Sequence, residues 1–484
     1  MGRRRRSTLL AAPLGALILA GCQGQGPATG PTIRFGASID RSANNAEPSW
    51  GDVIKLAEAQ MNAALKQSNI DLRFEFTIRD SANDPTTSVA NSVDFVTTLG
   101  VKGLILDTSQ NDSAVNRTFY DTDAANDLGV PLICGGCTSG SINNPTNADP
   151  DLISREAFHN TLRWNFRAIM STKLLSKVIA GIVQRTNLGD VNGTTVGVPD
   201  GKIKVGFYGS NEAFGKGARA DIESAFRTNL GCAAAPNPCP NFIIDDIFHA
   251  QDADPNSYPW ANDVASLFSN VNTNTQLPDG YPDAVVAAHF AQQDAAFTRA
   301  YKAAGTSIRV MHFQTFRLQS ALKAAQEAGE GEEGVSHLTL DTSPSGTVFR
   351  DDYQAAFSTL VVYRDSIYYD AATTLMLGAL IGALPLSDPT KVTGTQVAEG
   401  MRRTSDLANG GAVVRTGVDE LVAAIAHVKA GEPINYEGAS GPVDFDASQN
   451  ILDKLVHYQI QGGKFVDVEA FDCVSSSACP LVGQ

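Results

Sequence analysis

The fold is decided by residues 101–141, VKGLILDTSQNDSAVNRTFYDTDAANDLGVPLICGGCTSGS. Two apolar runs, Gly103–Leu106 and Val130–Cys134, predict short buried strands, and a loop of small polar residues follows each of them. Between the strands, Ala114–Asn126 predicts a helix that Gly129 would end. In an open parallel sheet, ligands bind at the carboxyl ends of the strands. The stretch therefore predicts one wall of a ligand-binding cleft.

The predicted helix would supply backbone donors to this cleft. A helix that opens at Asp112 or Ser113 points unbonded N–H groups outward, which favours an anion such as a carboxylate. The alternative is that Asp112 or Ser113 only caps the helix, and that Thr138 in the second loop only shapes a turn. This stretch alone leaves both interpretations open.

The rest of the chain repeats the alternation of strands and helices. Apolar residues recur at helical spacing in Trp50–Gln67, and Asp84 followed by Pro85 predicts the start of a second helix. Two such series, 32–163 and 164–340, predict parallel βαβ units. A chain of 484 residues is too long for one hydrophobic core, so we expect two lobes.

The charge of the chain excludes some classes of partner. Its formal net charge is −15, and the first 21 residues contribute four arginines and no acidic residue. Without that segment the surface is still more acidic. Such a balance argues against nucleic-acid binding and against electrostatic docking on anionic lipid.

The N-terminus predicts an export signal at residues 1–21. Arg3–Arg6 form a positive segment, and Leu9–Ala20 form an apolar segment that is too short for a relaxed transmembrane helix. Leu19-Ala20-Gly21-Cys22 resembles a bacterial lipobox, which implies cleavage before Cys22 and a lipid on its thiol. Residues 22–31 would then form a flexible tether. The alternative is ordinary signal-peptidase cleavage with Cys22 incidental.

The six other cysteines occur as three close pairs, which in an exported protein predicts disulfides. Close spacing does not by itself prove pairing. A zinc site would need four ligands, and no second C-x-x-C accompanies the first pair. A redox C-x-x-C normally opens a helix, whereas here it follows an apolar strand. The predicted pairs are Cys134 with Cys137, Cys232 with Cys239, and Cys473 with Cys479.

No motif in the sequence predicts catalysis. The chain has neither the G-x-S-x-G of a nucleophile elbow nor the H-E-x-x-H of a zinc protease, and its seven histidines are scattered. We therefore expect a protein that is not an enzyme. A hydrolase whose catalytic residues lie far apart in the sequence stays open as an alternative.

Tyr436–Asp446, YEGASGPVDFD, resembles the late signature of the leucine/isoleucine/valine-type (type I) periplasmic binding proteins, which serve branched-chain amino-acid-type ABC importers. Further segments resemble the family in the same order along the chain, although Gln449-Asn450 departs from its usual Gly-Asp. The resemblance spans nearly the whole mature chain. These segments are Asp80–Thr86, Gly129–Ile133, Arg163, Phe207–Gly217 and Tyr368–Ala383.

The resemblance implies a fold and a function. The fold is two α/β lobes, each a parallel sheet flanked by helices, joined by three hinge crossings. Lobe one would comprise 32–163 plus 342–437, and lobe two 164–341 plus 438–484. The implied function is a lipid-anchored, extracytoplasmic protein of the cell envelope that delivers a small polar, carboxylate-bearing solute to ABC permease subunits. It implies no cofactor and no metal.

Two alternatives share this fold. One is a ligand-sensing receptor module, in which closure of the lobes signals to a membrane partner. The other is a structural envelope lipoprotein with a degenerate cleft.

The resemblance also implies ligand-binding residues in both lobes. In the first lobe, Trp50 matches an aromatic position that stacks on the ligand. Ser109 or Ser113, together with Thr138, matches the hydroxyls that hold the ligand carboxylate. These hydroxyls are expected to act with backbone N–H groups of the two loops.

In the second lobe, Phe214 replaces a family tyrosine, and His289 or Phe290 falls near an aromatic position. Gln314 stands where the amino-acid binders place a glutamate for the ligand ammonium. A neutral glutamine cannot supply that charge. The resemblance therefore favours a carboxylate contact and puts an amino-acid ligand in doubt.

Overall fold

The computed structural model describes residues 30–120, 127–140, 142–143, 164–185, 190–406, 410–474 and 476–482. The predicted signal peptide, the lipidation residue Cys22, most of the tether and Arg163 lie outside these ranges. Within the described residues, none of the helices combines the length and the apolar character that a bilayer span requires.

The first lobe is built on a five-stranded parallel sheet. Its strands lie in the order β2-β1-β3-β4-β5, and Leu106 at the end of β3 is in register with Cys134 at the end of β4. The strands are β1 Thr32–Ile39, β2 Arg73–Asp80, β3 Leu104–Leu106, β4 Leu132–Cys134 and β5 Asn165–Arg167. Its early helices are α1 Ser49–Gln67, α2 Pro85–Thr97 and α3 Ser109–Phe119.

The second lobe is built on a seven-stranded sheet in the order β14-β13-β10-β9-β8-β6-β7. Only β13 and β14 run antiparallel to their neighbours. The strands are β6 Ile203–Ser210, β7 Phe242–His249, β8 Ala284–Ala288, β9 Arg309–His312, β10 Glu333–His337, β13 Lys454–Gln461 and β14 Lys464–Asp472. The α-helices are α4 Thr172–Val183, α5 Ala213–Asn229, α6 Trp260–Leu267, α7 Ala291–Ala304 and α8 Gln319–Ala325.

Within its described residues, the segment between β10 and β13 supplies four α-helices and a two-stranded sheet. Helix α10 packs along α1, as does α12, so this segment returns to the first lobe. The elements are α9 Pro344–Phe357, α10 Asp365–Ala383, α11 Gly394–Arg402, α12 Val418–Ala430, β11 Ala412–Val414 and β12 Ile434–Tyr436. The chain thus passes between the sheets after Arg167, after His337 and before Lys454, while the domain limits at 163, 341 and 437 stay a prediction.

The structure confirms the predicted apolar stripe of α1, the predicted start of α2 and the predicted cysteine pairs. In α1, every residue of the apolar stripe is buried, and Asp84 accepts a hydrogen bond from Thr87 N at 2.7 Å with Pro85 at the first helical position. The three predicted disulfides are also present in the structure. The predicted α/β fold class, with a largely parallel sheet in each lobe, is confirmed.

The predicted start of α3 is wrong. The helix begins at Ser109 instead of Ala114, because the Thr108 side chain caps it by accepting from Asn111 N at 3.3 Å. Asp112 and Ser113 therefore lie inside the helix and neither opens nor caps it. Residues 121–126, the end of the predicted helix, lie outside the described ranges.

Two regions near the C-terminus differ from what their local sequence patterns indicate. The pattern of Pro442–Phe445 is typical of a short strand, yet its pairing within the described residues is limited to an isolated bridge between Glu437 and Pro442. Strand β14 was not predicted, because most of its side chains are exposed or half-buried and show no regular alternation. It follows β13 through Gly462 and Gly463, whose positive φ angles allow the tight turn.

Candidate functional site

The two lobes meet where loops at the carboxyl ends of their strands face each other, as an open sheet predicts. We call this zone the cleft: residues 107–113 and 135–140 of the first lobe, and 211–217 and 313–317 of the second. Gln314 Nε2 donates a hydrogen bond across it to Thr138 Oγ1 at 2.8 Å. Ala213 N donates across it to Gln110 Oε1 at 3.2 Å. Both contacts join the N-terminal end of an element in one lobe to the other lobe.

Ser109 connects the two first-lobe loops. Its Oγ accepts a hydrogen bond from Ser139 N at 3.0 Å, and the residue is buried. Ser113 lies one turn further along α3, and its buried Oγ has no hydrogen-bond partner in the described part of the chain. The structure therefore gives Ser109 a bond within the protein, whereas the Ser113 hydroxyl retains its capacity to bond.

Asp112 faces the interior of the first lobe. Its Oδ2 accepts a hydrogen bond from Asn165 Nδ2 at 2.9 Å, and burial raises its pKa to about 7 although Arg167 counteracts this effect. Asp112 also lies within 4.8 Å of the sulfurs of Cys134 and Cys137. Those sulfurs are bonded to each other, so they are not thiolate metal ligands.

Arg167, which sequence analysis missed, holds the second loop in place. Its Nε donates to Asn450 Oδ1 at 2.6 Å, and its Nη1 donates to Ser139 O at 2.6 Å. Asn450 lies in the last passage between the lobes, so Arg167 links that passage to the loop carrying Thr138. No local pattern marks such a residue, because its partners are far away in the sequence.

The loop 135–140 packs so closely on its neighbours that its glycines leave no space for a Cβ atom. A Cβ on Gly136 would lie 1.9 Å from Asp107 O, and one on Gly135 would lie 2.7 Å from a ring carbon of Tyr368. Glycine is needed for this close approach, and the disulfide between Cys134 and Cys137 encloses both positions. The loop is therefore held rigidly beside α10.

Trp50 packs on residues at the start of α10. Its ring stacks on Tyr368 with 4.7 Å between centroids, and Arg364 Cζ lies 5.9 Å from the ring centroid. Trp50, Arg364 and Tyr368 are all buried. Arg364 is a second residue that sequence analysis missed; its φ of +73° places it just before α10, where a left-handed conformation ends the preceding turn.

Phe214 and His289 lie in aromatic clusters of the second lobe. The Phe214 ring is 6.4 Å from that of Phe290 and 6.1 Å from that of Phe313. His289 Nδ1 lies 2.7 Å from His249 Nε2, and burial lowers the pKa of His289 well below its usual range. Both residues thus have partners within their own lobe, whereas Thr138 and Gln314 join the two lobes.

Several buried polar atoms at and beside the cleft lack hydrogen-bond partners within the described residues. Buried polar atoms are ordinarily bonded, so each such atom calls for an explanation. A polar ligand that reaches between the lobes would account for this group. The atoms are Trp50 Nε1, Asn111 Oδ1, Asp112 Oδ1, Ser113 Oγ, Gln314 Oε1, Thr315 Oγ1, Arg317 Nε, Arg364 Nε and Tyr368 Oη.

Sequence comparison finds no protein-family model and no curated protein that matches the chain. Solved structures do match it. The leucine-binding protein LivK of Thermotoga maritima has a TM-score of 0.60 at 14% identity, covering 91% of this chain and 99% of its own. The substrate-binding protein LivJ of Streptococcus pneumoniae, in complex with isoleucine, gives 0.60 at 15%, covering 91% and 100%.

A solute-binding protein of an ABC transporter from R. palustris, in complex with benzoate, gives a TM-score of 0.59 at 16% identity. The match covers 94% of this chain and 98% of that one. Matches that cover nearly the whole of three solved structures confirm the predicted architecture. The chain therefore has the two-lobed α/β fold of the type I periplasmic solute-binding proteins.

Proposed function

We propose that the chain belongs to this family and works as an extracytoplasmic solute-binding protein. It closes its two lobes on a small polar, carboxylate-bearing solute and delivers it to an ABC permease. The observation that carries the proposal is the cleft itself, where Thr138 and Gln314 bond across the lobes beside buried polar atoms without partners. No catalytic step is part of the proposal.

Ligand contacts in both lobes explain why binding would favour closure. A ligand shifts an equilibrium only by its differential affinity for the two states, so it must contact more groups in the closed state. Thr138 and Ser113 would bind the carboxylate from the first lobe, while Gln314 would contact the solute from the second. The passages after Arg167 and His337 and before Lys454 would serve as the hinge.

The proposed location follows from the N-terminal sequence. Cleavage before Cys22 and a lipid on its thiol would anchor the mature protein to a membrane of the cell envelope, with residues 22–31 as a tether. Two lobes held near the membrane surface would then meet the permease by diffusion over a short distance. Replacement of Cys22 by Ser should release the protein from the membrane fraction.

The solute-binding proposal is tested by thermal unfolding of residues 23–484 in the presence of organic acids, amides, amino acids and sugars. A ligand present at 100 times its Kd adds about 2.7 kcal/mol to the free energy of unfolding. Thr138→Ala should weaken binding with little change in the melting temperature of the ligand-free protein. Equal affinity in this variant would contradict the cleft assignment, and no shift with any solute would favour the structural lipoprotein.

A further inference from the structure

Among the buried arginines of the described residues, Arg364 is the one whose guanidinium has neither a carboxylate nor a carbonyl or amide oxygen as a partner. It is 1% exposed, against 2% for Arg167 and 5% for Arg317. Arg167 donates to the carbonyl and amide oxygens described above. Arg317 forms a salt bridge of 2.6 Å with Asp467 and donates to Ser336 Oγ.

Arg364 lies beside two aromatic rings. Its Cζ lies 5.3 Å from the ring centroid of Tyr363 and 5.9 Å from that of Trp50. No ion pair between Arg364 and a carboxylate occurs within the described residues, and its Nε has no hydrogen-bond acceptor there. A buried guanidinium without a compensating anion is costly, so this arrangement calls for an anion from outside the chain.

The neighbouring unbonded atoms are donors as well. Trp50 Nε1 and Tyr368 Oη are buried without partners, and the two rings stack on each other beside Arg364. An indole N–H and a guanidinium only donate, and a phenol readily does so. Three donors at one place require a group that only accepts, and an ionised carboxylate is such a group.

Within the described residues, each acidic side chain named around the cleft already has a hydrogen-bond or charge partner in the protein, which disfavours a ligand ammonium. Asp107 accepts from Ser81 Oγ at 2.6 Å, and Asp365 accepts from Ser49 Oγ at 2.7 Å.

Two further acidic residues near the cleft also have partners in the protein, and the side chain expected to contact an ammonium is neutral. Glu212 caps α5 by accepting from Phe214 N and Gly215 N. Asp112 keeps its Oδ1 without a hydrogen-bond partner in the described part of the chain, but Arg167 lies beside it and balances its charge. At the position that the family resemblance assigns to the ammonium, Gln314 is neutral.

We propose that Arg364 is the anion-binding residue of the cleft, and that the ligand is an organic acid without an amino group. This inference rests on the proposed function and narrows its substrate class. Arg364 pairs with the ligand carboxylate, and Tyr368 and Trp50 donate to the same group. Gln314 then contacts an uncharged part of the solute.

The experiment measures binding by isothermal titration calorimetry for the wild type, Arg364→Gln and the control Arg309→Gln. Arg309 lies on β9 and pairs with Glu333 outside the cleft. The probes form two pairs. Benzoate is compared with benzamide, which lacks the negative charge, and 4-methylpentanoate is compared with leucine, which adds an ammonium group. Benzoate should bind more tightly than benzamide, and 4-methylpentanoate more tightly than leucine. Arg364→Gln should raise the Kd of the acids by roughly 30-fold or more, and Arg309→Gln should leave it unchanged.

A second measurement separates binding from structure. Ligand-free Arg364→Gln should unfold at or above the wild-type temperature, because it removes a charge that no protein group compensates. A melting temperature several degrees lower would make Arg364 a structural residue and overturn the inference. Benzamide or leucine binding as tightly as the acids would overturn it too, yet leave the solute-binding proposal standing. Binding of none of the four probes would count against both.

Discussion

Asp370 provides the sharpest test of how the lobes are joined. Its carboxylate accepts four hydrogen bonds: from Tyr436 Oη, Ala439 N and Ser440 N, each at 2.8 Å, and from Ser440 Oγ at 2.6 Å. Asp370 lies on α10, and residues 439 and 440 begin the last passage toward the second sheet. Asp370→Ala would leave two buried backbone N–H groups without an acceptor.

The expected loss follows from these bonds. Four hydrogen bonds to a charged acceptor contribute about 6 kcal/mol at the low end of the usual range. Burial opposes this by raising the pKa of Asp370 to about 6 from 3.8, which costs about 3 kcal/mol at pH 7. We therefore expect Asp370→Ala to lower the free energy of unfolding by about 3 kcal/mol at pH 7.

The raised pKa of Asp370 also determines how its contribution to the free energy of unfolding changes with pH. The folded protein holds the proton of Asp370 more tightly than the unfolded chain, so wild-type stability from this group falls as pH rises from about 4 to about 6. Asp370→Ala lacks this effect. The difference between the two proteins should consequently be about 1 kcal/mol larger at pH 5 than at pH 7.

Urea unfolding followed by circular dichroism at pH 5 and pH 7 measures both quantities. Thr374→Val is the matched control, because the buried Thr374 hydroxyl on the same helix has no partner within the described residues. Its loss should leave stability unchanged or slightly raised. A loss below about 1 kcal/mol for Asp370→Ala, or a difference that does not change with pH, would refute the reasoning.

Two further predictions concern the lobes separately. Burial lowers the pKa of His337 to about 3, so the wild type should lose about 2 kcal/mol between pH 7.5 and pH 5, where the unfolded chain gains that proton. His337→Gln should show a smaller loss in urea titrations at the two pH values, and the half-buried His427 serves as the control position. Gly136→Ala should cost about 1–3 kcal/mol and weaken solute binding, because its Cβ would meet Asp107 O at 1.9 Å. Gly181→Ala on α4, whose Cβ meets nothing within 4 Å, should be neutral or stabilising by calorimetry.

Local patterns were enough to predict the elements that burial or capping determines. The stripe of α1 and the Asp84–Pro85 start of α2 needed no distant partner. The start of α3 was harder, because Thr108, Asp112 and Ser113 are all good caps and the local sequence does not rank them, whereas in the structure Thr108 caps the helix. The strand–loop pattern placed the loop of Thr138 in the predicted cleft, whereas only the family resemblance brought Gln314 into it.

Arg167 and Arg364 show where sequence reasoning stops. Each contacts residues that lie far away along the chain, and the approach depends on how the passages between the lobes fold back. Arg167 joins Ser139 to Asn450, and Arg364 reaches the ring of Trp50. A lone arginine near a predicted helix or strand gives no indication of such partners, since most arginines are exposed.

Because each lobe has its own sheet, the protein could serve as an optical sensor of lobe movement. Strand β2 forms one edge of the first sheet and β14 one edge of the second, with Glu75 and the half-exposed Val468 on their surfaces. The six cysteines outside the N-terminal segment are all oxidised, so thiols introduced at these two positions would accept a donor and an acceptor dye without competition. Energy transfer between the dyes would then follow lobe movement in real time and turn solute concentration into a fluorescence ratio.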